Sequence, residues 1–161
     1  MRWCWSALLV SLMSFQAFAS QLVIRVADQQ PVVLTHEEIT TQLEAHSFAT
    51  SLPWFEGKKE FTGFTITDLL AHLGIEDAFS VSFIALNDYA ASSQIKDIKQ
   101  YQPIVAYQID NKNMKVRNKG PYWLVFNLDQ YPEIDNAVFH SQMVWQIDEI
   151  LILRTQDVAA Q

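Results

Sequence analysis

The sequence predicts an α+β domain, a mixed or mostly antiparallel sheet carrying a few short helices. Three observations lead there. Short apolar, β-branched runs recur from Leu22 to Leu153. Two of the gaps between them open on a threonine followed three residues later by an acid, Thr35 with Glu38 and Thr65 with Asp68, which is the spacing of a helix capping box. Nothing reads as a linker, a repeat or a low-complexity tract, since glycine occurs only four times and the prolines are scattered.

Taken in order, the chain opens on a segment that does not belong to the domain. Met1-Arg2 gives a positive start, Trp3 to Phe15 is almost wholly apolar, and Ala17-Phe18-Ala19 places small residues where a signal peptidase reads. That is the layout of a secretory signal. The apolar run is short for a membrane span and has no basic stop behind it. Cys4 precedes the apolar run, which argues against a lipoprotein. The expected boundaries are 1–19 for a cleaved signal peptide and 20–161 for the domain, an exported and periplasmic protein that is not membrane-inserted. Removing 19 of 161 residues leaves 142, enough for one real core. Arg2 and Cys4 leave with the signal, so 10 basic side chains face 18 acidic ones, a balance of −8. A nucleic-acid partner is excluded for want of a basic footprint. The mature domain also has no disulfide, no thiolate metal ligand and no cysteine nucleophile.

Within the domain, Leu22 to Val26 forms a first strand. Thr35 caps a short helix with Leu43 on its buried side. Phe48 to Leu52 runs extended into Pro53-Trp54, and Phe61 to Phe64 is a short strand. Thr65 caps a second helix with the apolar stripe Leu69, Leu70 and Leu73, ended by Gly74. Val81 to Ala85, Ile104 to Tyr107, Trp123 to Phe126 and Val144 to Leu153 supply further strands. The tail from Arg154 to Gln161 is expected to fray.

The familiar catalytic signatures are missing. His36, His46, His72 and His140 show no metal-ligand spacing, and read as surface or capping residues. No serine sits in a nucleophile elbow, and no glycine-rich phosphate loop exists. The acidic pairs Glu37-Glu38, Glu76-Asp77 and Asp148-Glu149 read as solvated termini of helices or strands.

Three segments stand out instead. Pro53-Trp54-Phe55-Glu56-Gly57 holds a tryptophan on an irregular stretch, where it can offer a flat face or simply fill the core. Asn87-Asp88-Tyr89 follows a strand end, a place for ligand groups and equally for a plain turn. Arg117 to Trp123 concentrates two cations, a glycine and an aromatic pair in an otherwise acidic chain.

Together these segments resemble the sulfite-oxidase-type molybdopterin-binding domain in its short, single-domain bacterial form. The elements that carry the resemblance are Leu34-Thr35 with Glu38, Pro53-Trp54 with Gly57, Gly63 with Asp68-Leu69-Leu70 and Gly74, Asn87-Asp88-Tyr89, Pro103 to Tyr107, and Arg117 to Pro121 with Trp123. They span nearly the whole expected domain. The resemblance implies a mixed α+β fold around a pterin-holding cleft. Enzymes of this family hold molybdenum through a cysteine thiolate near the stretch matched by Phe48 to Trp54, where this chain has only serine and threonine. A protonated hydroxyl is a poor replacement for a soft anionic sulfur. The resemblance therefore implies a regulator that binds a reduced pterin, without molybdenum and without catalysis. Such regulators control an inner-membrane cyclic-di-GMP enzyme through its periplasmic domain. The alternatives are a molybdopterin-dependent oxidoreductase or its accessory subunit, and an interaction module with no ligand.

The residues expected to hold the pterin are Trp54, Asn87, Asp88, Tyr89, Arg117, Lys119, Gly120 and Trp123. Asp88 would accept from the amino edge of the ring, while Arg117 and Lys119 would donate to its acceptor edge. Trp54, Tyr89 or Trp123 would stack on the ring.

Overall fold

The computed structural model describes residues 20–27 and 29–155. The signal peptide expected over 1–19 and the tail beyond Thr155 lie outside the described residues. In chain order the elements are β1 (Gln21–Val26), β2 (Val32–Thr35), α1 (His36–Gln42), β3 (His46–Ser51), β4 (Lys58–Thr65), α2 (Ile66–His72), β5 (Ala78–Ala85) and β6 (Ala90–Gln94). There follow α3 (Ile95–Tyr101), β7 (Ile104–Ile109), β8 (Lys112–Asn113), β9 (Trp123–Val125), α4 (Ala137–Gln142) and β10 (Ile147–Arg154). Among the described residues, no helix is long and apolar enough to cross a membrane.

The expected α+β class is present, but the strands build two sheets and not one. The first has the order β2-β1-β10-β5-β6 and is mixed, because β1 and β10 run parallel while the other pairs are antiparallel. The second runs β3-β4-β7-β8 with β9 also on β7, and is antiparallel throughout. Alternation along the strands turns Leu22, Ile24, Phe83, Ile150 and Ile152 of the first sheet inward. They join Phe61, Phe64, Val105 and Leu124 of the second in one core. Two chain ends brought together as parallel neighbours cannot be read from local pattern, which is why the sheet count was not anticipated.

The helix signals resolve differently from one another. At α1 the capping box is complete: the Thr35 hydroxyl accepts from the Glu38 N–H, and the Glu38 carboxylate accepts from the Thr35 N–H at 2.7 Å. At α2 only half of the box forms. The Asp68 N–H donates to the Thr65 hydroxyl at 3.0 Å, but the shorter Asp68 carboxylate takes the Thr65 hydroxyl and the His46 ring instead of the backbone. The α2 C-terminus is a Schellman turn, with Gly74 at φ +67 donating to Ala71 and Ile75 donating to Leu70. A Cβ at Gly74 would meet nothing within 4 Å, so only the left-handed backbone opposes a side chain there. Gly74→Ala should therefore cost about 1 kcal/mol and no more, read as a small fall in urea midpoint with unchanged slope.

Two further expectations change. Asp148-Glu149 is not a solvated terminus but lies inside β10, where the register slips between Ile147 and Glu149 and leaves Asp148 as the extra residue of a bulge. Arg154 is not frayed: it closes β10 and pairs with Asp77 at 2.7 Å.

Candidate functional site

The local chemistry that builds the site begins with three irregular segments meeting at one edge of the fold. Leu52 to Phe55 turns after β3, with the Phe55 N–H donating to the Leu52 carbonyl at 3.1 Å. This turn swings the Trp54 ring back onto Trp123, 5.7 Å away, and Trp145, 5.5 Å away and nearly perpendicular. After β5 the chain reverses through Asp88, whose φ of 65 is in the left-handed region that Asp tolerates. The Asn87 side chain accepts from the Tyr89 N–H at 3.2 Å and fixes that turn. The third segment is a 3-10 turn at Val116–Asn118 leading through Lys119, also left-handed, to a cis bond between Gly120 and Pro121. The cation-rich stretch is a tight irregular turn.

The strap from Met143 to Ile147 ties the three together. Gln146 donates its N–H to the Lys119 carbonyl at 3.0 Å and its side-chain amide to the Val116 carbonyl at 2.8 Å. Its own carbonyl accepts from Leu86, just before Asn87. The Trp123 indole donates to the Met143 carbonyl at 3.0 Å, and Trp123 and Trp145 face one another across an isolated bridge.

These elements enclose a cavity of about 380 Å³. Its walls are the aromatic faces of Trp54, Trp145 and Tyr89, with Met143, Val144 and Ala85 behind them. Asn87, Ser141 and His140 give it its polar rim. The Tyr89 hydroxyl donates to the Ser141 carbonyl at 2.8 Å, closing one side. The His140 ring is set by the Asp135 carboxylate at 2.7 Å and lies edge-on to Trp54.

The Lys119 ammonium is the most unusual group here. It sits 3.5 Å from the centre of the Trp145 ring, 5.2 Å from that of Trp123 and 5.7 Å from that of Trp54. Burial lowers its pKa from the ordinary lysine value. None of the ion pairs among the described residues involves it. The indole quadrupoles are its counter-field, in place of a carboxylate. Opposite in sign, Asp148 in the β10 bulge has its carboxyl raised, first by burial and then by the charges of Glu149 and Asp88.

Of the eight residues expected from the sequence, Trp54, Asn87 and Tyr89 line the cavity, and Lys119 lies against the same indoles. Trp123 is fully buried beneath them and is a floor, with no open face to lend. Gly120 is buried too: a Cβ there would stand 2.6 Å from Met114, which is why only glycine fits. Asp88 and Arg117 are exposed and do not line the cavity. Trp145, Met143, Ser141 and His140 were not anticipated. The signal available in the sequence was Trp145 itself, a large aromatic interrupting the approach to a strand.

Among the described residues no group of three or more His, Cys, Asp or Glu side chains is placed to hold a metal ion. What the cavity can do chemically is set a flat ring against one indole and meet its edges with an amide and an imidazole, while the Lys119 ammonium, not itself a lining residue, sits on the Trp145 ring.

No protein-family model matches the sequence, and no curated protein matches it. Among solved structures the fold is similar to the sulfane dehydrogenase SoxCD from Paracoccus pantotrophus, with a TM-score of 0.60 and 14% sequence identity. The match covers 83% of this chain and 38% of that one. At this identity the likeness shows the fold alone, and it supports the sulfite-oxidase-like fold expected from the sequence.

Proposed function

We propose that this chain is a non-catalytic, periplasmic pterin-binding protein that regulates an inner-membrane cyclic-di-GMP enzyme through that enzyme's periplasmic domain. The observation that carries the ligand half is the indole-walled cavity beside an ammonium that sits on the same indoles and forms no ion pair among the described residues. A reduced pterin is a flat heterocycle with a donor edge and an acceptor edge. One of the indoles Trp54 and Trp145 suits its face while the other, nearly perpendicular to it, meets its edge; Asn87 can serve either edge, and Lys119, seated against the same indoles, is the cation offered to the acceptor edge. The cavity lies in the 300–1,000 Å³ range typical of small-molecule sites. The partner half, and the export that puts the protein beside it, rest on the family resemblance and the leader-like first 19 residues.

Two substitutions test the pocket. Lys119→Met keeps a chain of similar length over Trp145 and removes the charge. It should weaken binding of a tetrahydropterin roughly tenfold or more, the usual worth of a charge-assisted hydrogen bond. It should leave folding stability unchanged or slightly raised, since a desolvated ammonium is removed. Tryptophan fluorescence quenching reads the first and urea denaturation the second. Unchanged affinity would remove Lys119 from the ligand's contacts. Asp88→Ala and Arg117→Ala should have smaller effects than Lys119→Met, because both side chains are exposed, whereas the half-buried Lys119 sits over the Trp54 and Trp145 rings that line the cavity.

The fold likeness to a dehydrogenase also favours a second reading, a molybdopterin-dependent oxidoreductase or its accessory subunit. Stoichiometric molybdenum in protein purified from its own host would support it, and its absence together with bound simple pterin would support the regulator.

A further inference from the structure

A second concavity of about 370 Å³ shares no lining residue with the first. It lies between β3, the start of α2, the end of α3 and the turn at Asn127 to Tyr131. Its chemistry is different in kind. No lysine or arginine lines it, and its one carboxylate, Asp68, is held by the His46 ring at 2.7 Å and by the Thr65 hydroxyl. Such a groove has no cation to attract an anion and no uncommitted carboxylate to attract a cation.

Three neutral amides line it, and each is half used. The Gln102 carbonyl accepts from the Thr67 hydroxyl at 3.2 Å, and its amide donates to the Lys99 carbonyl at 3.1 Å. The Gln130 carbonyl accepts from the Asn127 amide, and its own amide donates to the Tyr131 hydroxyl at 3.1 Å. The Asn127 carbonyl accepts from the Gln130 N–H at 3.2 Å. A primary amide carries two donors and two lone pairs. Each of these three therefore keeps one N–H and one lone pair on the same planar group. That is the complement of two adjacent hydroxyls, one donating and one accepting.

Two phenol rings complete the groove. Tyr101 and Tyr131 lie 5.1 Å apart, edge to face, and both are half-buried. Aromatic surface of this kind packs against the C–H face of a puckered ring, and phenol hydroxyls extend the neutral hydrogen-bonding set. We infer that this groove is a binding site for a neutral polyhydroxylated ligand, a saccharide, independent of the pterin cavity. The juxtaposition that carries it is three half-satisfied amides around two tyrosine rings in a groove whose one carboxylate, Asp68, is already hydrogen-bonded. Gln102 is held in the left-handed region at φ 42 at the end of α3, and this turns it across the groove toward Thr67.

The test uses the full mature domain, labelled for amide NMR and titrated with cellobiose, maltose and chitobiose, with inorganic phosphate as the charged comparison. The expected result is saturable shifts at the groove for at least one disaccharide, with a Kd of about 1 mM, and none for phosphate. Gln130→Ala, an exposed position, should weaken that binding roughly fivefold to tenfold. Tyr131→Phe, which keeps the ring and removes only the hydroxyl, should weaken it less. Trp145→Ala in the first cavity should leave it unchanged. Shifts for phosphate and not for sugars, no saturation with any disaccharide, or sugar binding that survives Gln130→Ala and is lost with Trp145→Ala would each overturn the inference. None of these outcomes bears on pterin binding, which is read separately by tryptophan quenching.

Discussion

Trp123→Ala should cost about 3–5 kcal/mol of folding stability and abolish pterin binding in the same step. Trp123 is the largest of the fully buried side chains, at 0% exposure. Its ring is 5.7 Å from Phe61 and perpendicular to it, 5.8 Å from Phe55 and 6.1 Å from Trp145. Its indole N–H satisfies the Met143 carbonyl at the head of the strap, and its backbone pairs with Ala106 of β7. Truncation would leave a void beneath Trp54, an orphaned carbonyl and one face fewer beside Lys119. Where a surface tryptophan would lose only a contact, this one holds the cavity floor to the second sheet. Urea denaturation measures the cost, and the same samples report binding. Trp123→Phe separates the two roles: it should recover part of the stability while the Met143 carbonyl stays unpaired. A stability loss below about 1 kcal/mol for the alanine variant would contradict the packing described here.

Gly63→Ala should be nearly as damaging, by about 3 kcal/mol, with no side chain lost at all. A Cβ on Gly63 would stand 2.1 Å from the Val105 carbonyl oxygen and 2.6 Å from the Ala106 Cα. Both are backbone atoms of the neighbouring strand, so no rotamer change relieves them. The register of β4 against β7 slips between Thr62 and Gly63, which brings the two backbones unusually close at this point. β4 also pairs with β3 on its other edge, so a displaced β4 disturbs three strands. The contrast with Gly74→Ala is informative, because there the space is open and only the backbone angle resists. Equal losses for the two variants would show that the β4–β7 approach is looser than described.

The fold was legible where the chemistry is local. Thr35 and Glu38 announce α1, and Gly74 announces the end of α2, because caps act over a few residues. The alternation in Val81 to Ala85 found β5. β6 was missed because its sequence, Ala-Ala-Ser-Ser-Gln, has weak strand preference; its place comes from pairing Ser80 to Ile84 of β5. α3 was missed because Gln94 gives its N-terminus no side-chain cap. α4 does have a cap, with Asn136 accepting from Val138 and Phe139, but no apolar stripe follows it.

For the site, residue type carried information and position in space did not. Trp54, Asn87, Tyr89 and Lys119 meet because the strap from Met143 to Ile147 gathers three segments distant in sequence, with Gln146 reaching back 30 residues to Val116. Nothing in the sequence says that Arg117 faces outward while Lys119, two residues on, turns in. That difference comes with the left-handed backbone at Lys119.

The central claim is that the indole-walled cavity holds a pterin. Its most direct test is to purify the protein from its own host under reducing, light-protected conditions, denature it, and quantify released pterins by fluorescence-detected chromatography alongside a Trp145→Ala variant. A simple pterin near one per wild-type chain is expected, with a large loss in a folded Trp145→Ala protein. A wild-type protein that releases no pterin under those conditions, or a variant that releases as much as the wild type, would contradict it.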